Sequence, residues 1–259
     1  LLESTFVHIP GVGAQTERAL WDQGCHTWHD LLASPDKYSC GQIGKESMQA
    51  AVVKSVEALQ GRRHGFFRYG LGTKEAWRAF PEFRDACVYL DIETDGGRNG
   101  DSVTTIGMYD GNEFTCLIKG RDLDHFPDII ARYSMIVTFF GTGFDVPMLQ
   151  KCFRGIRMDQ LHLDLCPTLK RLGIRGGLKK IEKQLGIQRG DDTDGLDGLD
   201  AIRLWRRYTT LGDDGALETL IAYNREDVVN MERLAEYTYD NMRKLVLLGN
   251  DCTVGVSPT

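Results

Sequence analysis

Hydrophobic and polar positions follow two rhythms along the chain. Up to Gln60 the pattern is helical and no strand-like alternation occurs. The Gly-rich turn Ile9-Pro10-Gly11-Val12-Gly13 leads into a predicted helix from Ala14 to Gln23, with Gly24 as its stop signal. A second helical pattern runs from Thr27 to Ala33, and Gly41-Gln42-Ile43-Gly44 opens a longer helix over Lys45 to Gln60. Gly and aromatic residues thicken from Gly61 to Phe83, which marks a boundary.

Beyond it the rhythm changes. Ala86 to Ile92 is rich in β-formers and predicts a strand, followed by strands over Thr104 to Tyr109 and Glu113 to Ile118 joined by the hairpin-type turn Asp110-Gly111-Asn112. Ile129 to Tyr133 reads as helix and Met135 to Phe140 as a buried strand. Helices are then expected over Pro147 to Phe153, Pro167 to Leu172, Leu178 to Leu185, Ala201 to Thr209 and Ala216 to about Leu247. Gly190 to Asp200 holds five Asp and three Gly and predicts a mobile loop. A strand meander followed by helix-rich crossovers predicts an α/β domain with a mixed sheet over residues 85–248. A small all-helical region (1–60) and a basic, aromatic connector (61–84) precede it, and a tail (249–259) follows.

Composition narrows the class. With 259 residues, 42% of them hydrophobic and 26% charged, the chain has ordinary globular proportions and room for one or two domains. Runs such as Met135 to Phe140 are too short to cross a bilayer, so no membrane partner is expected. Leu1 to Pro10 lacks the basic stretch and apolar core of a signal peptide. The seven cysteines are odd in number, widely spaced and without a Cys-x-x-Cys, which predicts free thiols in a reducing cytoplasm. Cys25, His26, His29 and Cys40 cluster in sequence but match no familiar zinc spacing. The net charge of −6 argues against coating nucleic acid by bulk electrostatics. It leaves room for an enzyme whose carboxylates bind metal and which touches nucleic acid locally.

Three carboxylate signals carry the chemistry. Asp91 and Glu93, two apart at a strand end, point to the same face and repel each other unless a cation lies between them. Their bland alternative is a pair of solvated acids before a Gly-rich loop. Asp145, in Phe144-Asp145-Val146-Pro147, precedes a helix, where Asp is also a favoured cap. Tyr223 and Asp227, four apart, share one face of a helix, which an ordinary amphipathic helix would also place there.

Taken in order, these motifs resemble the DEDD exonuclease superfamily, in its Tyr-containing branch, on a ribonuclease H-like fold. The resemblance covers about Asp85 to Lys244 and includes Gly177-Leu178-Lys179-Lys180-Ile181-Glu182 before the third motif. The whole chain looks most like an uncharacterised bacterial ribonuclease H-like family with a small helical N-terminal region. The resemblance implies a metal-dependent 3'-5' exonuclease acting on single-stranded or frayed 3' ends, with DNA or RNA undecided. It implies that Asp91 bridges two divalent ions, that Glu93 and Asp227 complete the first metal site, and that Asp145 holds the second. Hard oxygen ligands without His suit Mg²⁺ or Mn²⁺. Two such ions about 3.5–4 Å apart activate a water and stabilise the leaving oxygen. Tyr223 would orient the attacking water, because a phenol of pKa about 10 is a poor general base. One departure is Phe140, which stands where relatives often carry Asn. Asp164, before Pro167, reads as a helix cap.

At the other end, Ile9-Pro10-Gly11-Val12-Gly13 with Ala19-Leu20 resembles a helix-hairpin-helix. Gly11 and Gly13 would let backbone N–H groups approach a phosphate at a helix N-terminus. A helical packing module whose glycines only make tight turns is the alternative. Phe144, beside the second carboxylate, is a further candidate nucleic-acid contact. The connector interleaves Arg62, Arg63 and Arg68 with Phe66, Phe67 and Tyr69, a mixture suited to single-stranded bases or to simple packing. The rival functions are a structure-selective endonuclease and a catalytically silent nucleic-acid-binding scaffold. Protein partners are not legible.

Overall fold

The computed structural model describes residues 1–190, 193 and 195–248. The chain divides into two compact units, Leu1–Arg84 with Asp159–His162, and Asp85–Met158 with the chain from Leu163 onward.

The first unit is helical, with α1 (Ala14–Asp22), α2 (Trp28–Ala33), α3 (Lys45–Gln60), α4 (His64–Glu75) and α5 (Phe80–Phe83). Thr27 and Asp30 start α2 with a reciprocal capping box, each satisfying a backbone N–H that the first turn leaves open. Residues 61–84, set apart by composition, form α4 and α5. Their Phe67, Trp77, Phe80 and Phe83 are buried with Leu2, Phe6, Leu20 and Trp28, while Tyr69 stays in water. Gly11 and Gly13 are both exposed in the turn before α1, on either side of the buried Val12.

Two polar devices lie inside this unit. Glu17 accepts from the Phe6 N–H at 2.7 Å and pairs with Arg78 at 3.1 Å, so its buried charge is matched. His8 Nε2 is 2.7 Å from Ser55 Oγ, and Ser55 spends its one proton on the Ala51 carbonyl at 2.8 Å. His8 is therefore the donor of that pair, neutral with its proton on Nε2. Burial, and then the Arg78 charge, hold its pKa down at about 4. Above pH about 6.5 His8 is neutral whether folded or not, and the unit keeps its full stability. As pH falls from about 6.5 to about 4 the unfolded chain takes up the proton first, costing the fold about 3 kcal/mol, with no further loss from His8 below that. His8→Gln is expected to remove most of this fall. Urea titrations at pH 7 and pH 4 check it, read by tryptophan fluorescence, since the Trp28 ring lies 5.4 Å from that of His8.

The chain continues with β1 (Cys87–Thr94), β2 (Val103–Tyr109), β3 (Phe114–Ile118), α6 (Phe126–Ile130), β4 (Met135–Thr138), α7 (Asp145–Cys152), β5 (Leu161–Asp164, of which Leu163 and Asp164 count with the second unit), α8 (Leu165–Arg171), α9 (Leu178–Gln184), α10 (Gly198–Leu211) and α11 (Asp214–Leu248). The sheet order is β3-β2-β1-β4-β5. β1 is antiparallel to β2 and parallel to β4, and β2 is antiparallel to β3. This is the mixed sheet with flanking helices that the pattern predicts. Val88, Leu90, Ile92, Ile106 and Met108 pack against Phe126, Ile130, Met148 and Leu149 on one side of the sheet. A second cluster joins Ile118 to Ala201, Trp205, Leu217, Leu220 and Tyr223.

Two details differ from the sequence pattern. β5 is a strand of four residues, too short for its alternation to register. α10 begins at Gly198 rather than Ala201, because Asp197 and Asp200 form a capping box. Of the predicted mobile loop, Asp191, Asp192 and Asp194 lie outside the described residues, as does the tail 249–259.

Candidate active site

Strand periodicity positions the first two carboxylates. Leu90 and Ile92 enter the core, so Asp91 and Glu93 turn to the opposite face. α11 supplies that face with Tyr223, Asn224 and Asp227, all buried. Carboxylate oxygens of Asp91, Glu93 and Asp227 all lie within 4.8 Å of one another. Asn224 Nδ2 donates to Asp91 Oδ2 at 2.9 Å and holds that carboxylate in place. The register places Gly107 opposite Asp91, and a Cβ there would stand 2.0 Å from Asn224 Oδ1. Glycine on the neighbouring strand is what admits Asn224.

Asp145 is the first residue of α7 and lines the same cleft, of about 510 Å³. Its Oδ1 accepts from the Ile92 N–H at 3.2 Å, which ties it to β1. It makes no side-chain cap on α7, whose capping position is Phe144. It stands outside the trio of closely approaching oxygens. Asp164 caps α8 through the Cys166 N–H at 3.2 Å and also receives the Phe140 and Thr142 N–H groups at 2.8 and 3.0 Å. Phe140 and Phe144 line the cleft. Gly11 and Gly13 belong to the first unit.

The electrostatics are those of a site short of positive charge. Burial, then the charges of Asp227, Asp145 and Glu93, push the Asp91 carboxyl well up, against the Asn224 hydrogen bond. Burial, then Asp227 and Asp145, do the same to Glu93. Burial raises Asp145 and Asp227 as well, the latter opposed by Arg189. Such a cluster takes up protons or a cation. The donors are all carboxylate oxygens, a set that fits a hard divalent ion.

Four further side chains surround the cluster. Arg189 Nε and Nη2 reach Glu182 at 2.6 and 2.9 Å, and Nη2 also binds Asp227 Oδ1. Glu182 thus fixes an arginine that in turn fixes Asp227. Lys179 Nζ lies 4.2 Å from the centre of the Tyr223 ring, and this buried nitrogen has no hydrogen-bond partner among the described residues. Lys179 and Glu182 stand in the segment that precedes the third motif, and Asn224 sits three residues from Asp227 on one helix face, whereas Arg189 carries no signal of its own. Tyr223 stays protonated, because burial and the charges of Asp227, Glu93 and Asp91 raise its pKa.

A central strand bearing buried carboxylates, in a mixed sheet of this order with a long covering helix, defines a ribonuclease H-like domain. The family model described as RNase_H superfamily (RNase_H_2) matches residues 88–239, more than half of the chain, and the chain belongs to that superfamily. Comparison with curated proteins and with solved structures gave no match. Membership and the acidic cluster together indicate a nuclease, a phosphodiester hydrolase that uses divalent metal on nucleic acid. Among the described residues no helix is long and apolar enough to cross a membrane.

Proposed function

We propose that this protein is a 3'-5' exonuclease of the DEDD type, in its Tyr-containing branch. The observation that carries the reading is the convergence of Asp91, Glu93 and Asp227, with Tyr223 four residues before Asp227 on the same helix. Asp91, Glu93 and Asp227 would hold one Mg²⁺ or Mn²⁺, and Asp91 with Asp145 a second. Bound there, the ions supply an activated water and charge stabilisation for the leaving oxygen.

The chain's own groups do the rest. Asn224 and Arg189 present the Asp91 and Asp227 carboxylates with their orientation already set, so little order is lost on binding. The neutral Tyr223 hydroxyl orients the water and does not remove its proton. Lys179 offers unspent N–H donors to an incoming phosphate. Phe144 contacts the strand near its end. Residues 85–248 serve as the catalytic domain, and the helical unit grips backbone phosphate through the amides around Gly11 and Gly13, a contact that reads no sequence. Free, widely spaced cysteines are compatible with a reducing, cytoplasmic setting.

The test is digestion of 5'-labelled single-stranded DNA and RNA with Mg²⁺ or Mn²⁺. The expected result is a ladder shortening from the 3' end with release of mononucleotides. Internal fragments would support an endonuclease instead, and intact substrate bound without cleavage would support a silent binding protein.

A further inference from the structure

Phe140 breaks two rules at once. Its φ is +66°, and among the described residues only Arg62 is another non-glycine with positive φ. L-residues avoid this region because Cβ crowds the backbone, and a bulky ring has no local hydrogen bond to offset it. The residue is also 55% exposed, on the wall of the cleft that holds Asp91, Glu93 and Tyr223.

The surroundings hold the ring there. The Phe140 N–H donates to Asp164 Oδ1 at 2.8 Å, and the Thr142 N–H and hydroxyl both donate to Asp164 Oδ2. The turn closes through the Gly143 N–H on the Phe140 carbonyl at 3.0 Å. The ring lies over Gly143, where a Cβ would stand 2.7 Å from Phe140 Cζ. A strained backbone, a buried carboxylate anchor and a glycine seat together keep one aromatic face in water. Strain maintained in this way at a cleft points to use by a ligand.

A phenyl ring has no hydrogen-bonding group, so what it offers is a flat apolar face. The cleft sets that face beside carboxylates suited to metal and beside Lys179. A nucleotide has the matching parts, a flat base and an anionic phosphate. We propose that Phe140 is the platform on which the base of the terminal nucleotide stacks, so that the cleft selects unpaired ends carrying a base. The inference rests on the exonuclease reading above and adds what that site recognises.

Phe140→Asn tests it. Asn tolerates positive φ, so this variant should fold and melt at or above the parent's temperature, while the ring is lost. Phe140→Trp should keep the platform. Binding is measured with the full chain in Ca²⁺ on two single-stranded oligonucleotides, one ending in an intact 3' nucleotide and one in an abasic residue. Base stacking on an aromatic supports an expected loss of about 10-fold or more in affinity for the intact end on Phe140→Asn. Phe140→Trp should restore it, and the abasic end should bind parent and Asn variant alike. Mn²⁺ affinity by calorimetry should not change.

Equal binding of the intact end by parent and Phe140→Asn, with the parent active, would overturn the stacking role and leave the exonuclease reading standing. Equal losses on intact and abasic ends would also overturn it, since the ring would then support the loop and not the base. A parent that neither binds nor cuts either oligonucleotide would remove the exonuclease reading, and the platform with it.

Discussion

Asp91→Asn is expected to abolish hydrolysis while the chain stays folded. Asp91 sits at the centre of the cluster, with a carboxylate oxygen within 4.8 Å of those of both Glu93 and Asp227. It is proposed to serve both ions, so its loss weakens two sites together. Losing several kcal/mol of charge stabilisation corresponds to a fall of at least about 10³-fold in rate. Stability should move the other way. The Asp91 carboxyl is held up by burial and three neighbouring acids, so a neutral isostere relieves repulsion that the metal-free protein carries. Melting without divalent ions should occur at or above the parent's temperature. The rise that Mn²⁺ produces in the parent, which follows its affinity for the folded state, should shrink or vanish. Thermal scans with and without Mn²⁺, beside single-turnover rates, read both effects. A folded Asp91→Asn protein with parental activity would end the two-ion assignment.

Tyr223→Phe should slow hydrolysis by about 10²-fold, the usual scale for losing a positioning contact, with metal affinity retained. The substitution removes one oxygen and keeps the ring, which packs with Leu220, Leu217 and Trp205. Melting should therefore change little. Because burial and the surrounding carboxylates raise the phenol's pKa, the hydroxyl keeps its proton throughout the range where nucleic acid is assayed. The parent-to-variant ratio should then be flat with pH. A ratio that climbs with pH would mean that Tyr223 acts as a base. A rate within about twofold of the parent would reduce it to a packing residue, well short of a positioning effect.

Periodicity made the frame of both predictions readable. β-Formers from Ala86 to Ile92, the Asp110-Gly111-Asn112 turn and the long apolar stripe after Ala216 correspond to β1, the β2–β3 hairpin and α11. Signals spanning a few residues were harder. β5 has four residues, and the start of α10 depended on a hydrogen-bonded pair of aspartates in an Asp-rich stretch.

The site divides in the same way. That Asp91 and Glu93 share a strand face, and Tyr223 and Asp227 a helix face, follows from local order alone, because strand and helix repeats hold wherever the element forms. The donor chemistry is equally local, since oxygen donors without His suit a hard cation. That the two faces meet is a matter of long-range packing, since 133 residues separate Asp91 from its partner Asn224. The same packing sets Arg189 between Glu182 and Asp227, places Lys179 against Tyr223 and gives Phe140 its left-handed backbone. Those features depend on packing between distant segments, on a glycine at 107 that makes room across a strand and on a carboxylate at 164 that anchors a turn. No spacing rule within one segment encodes contacts that arise only when the sheet and its helices close together.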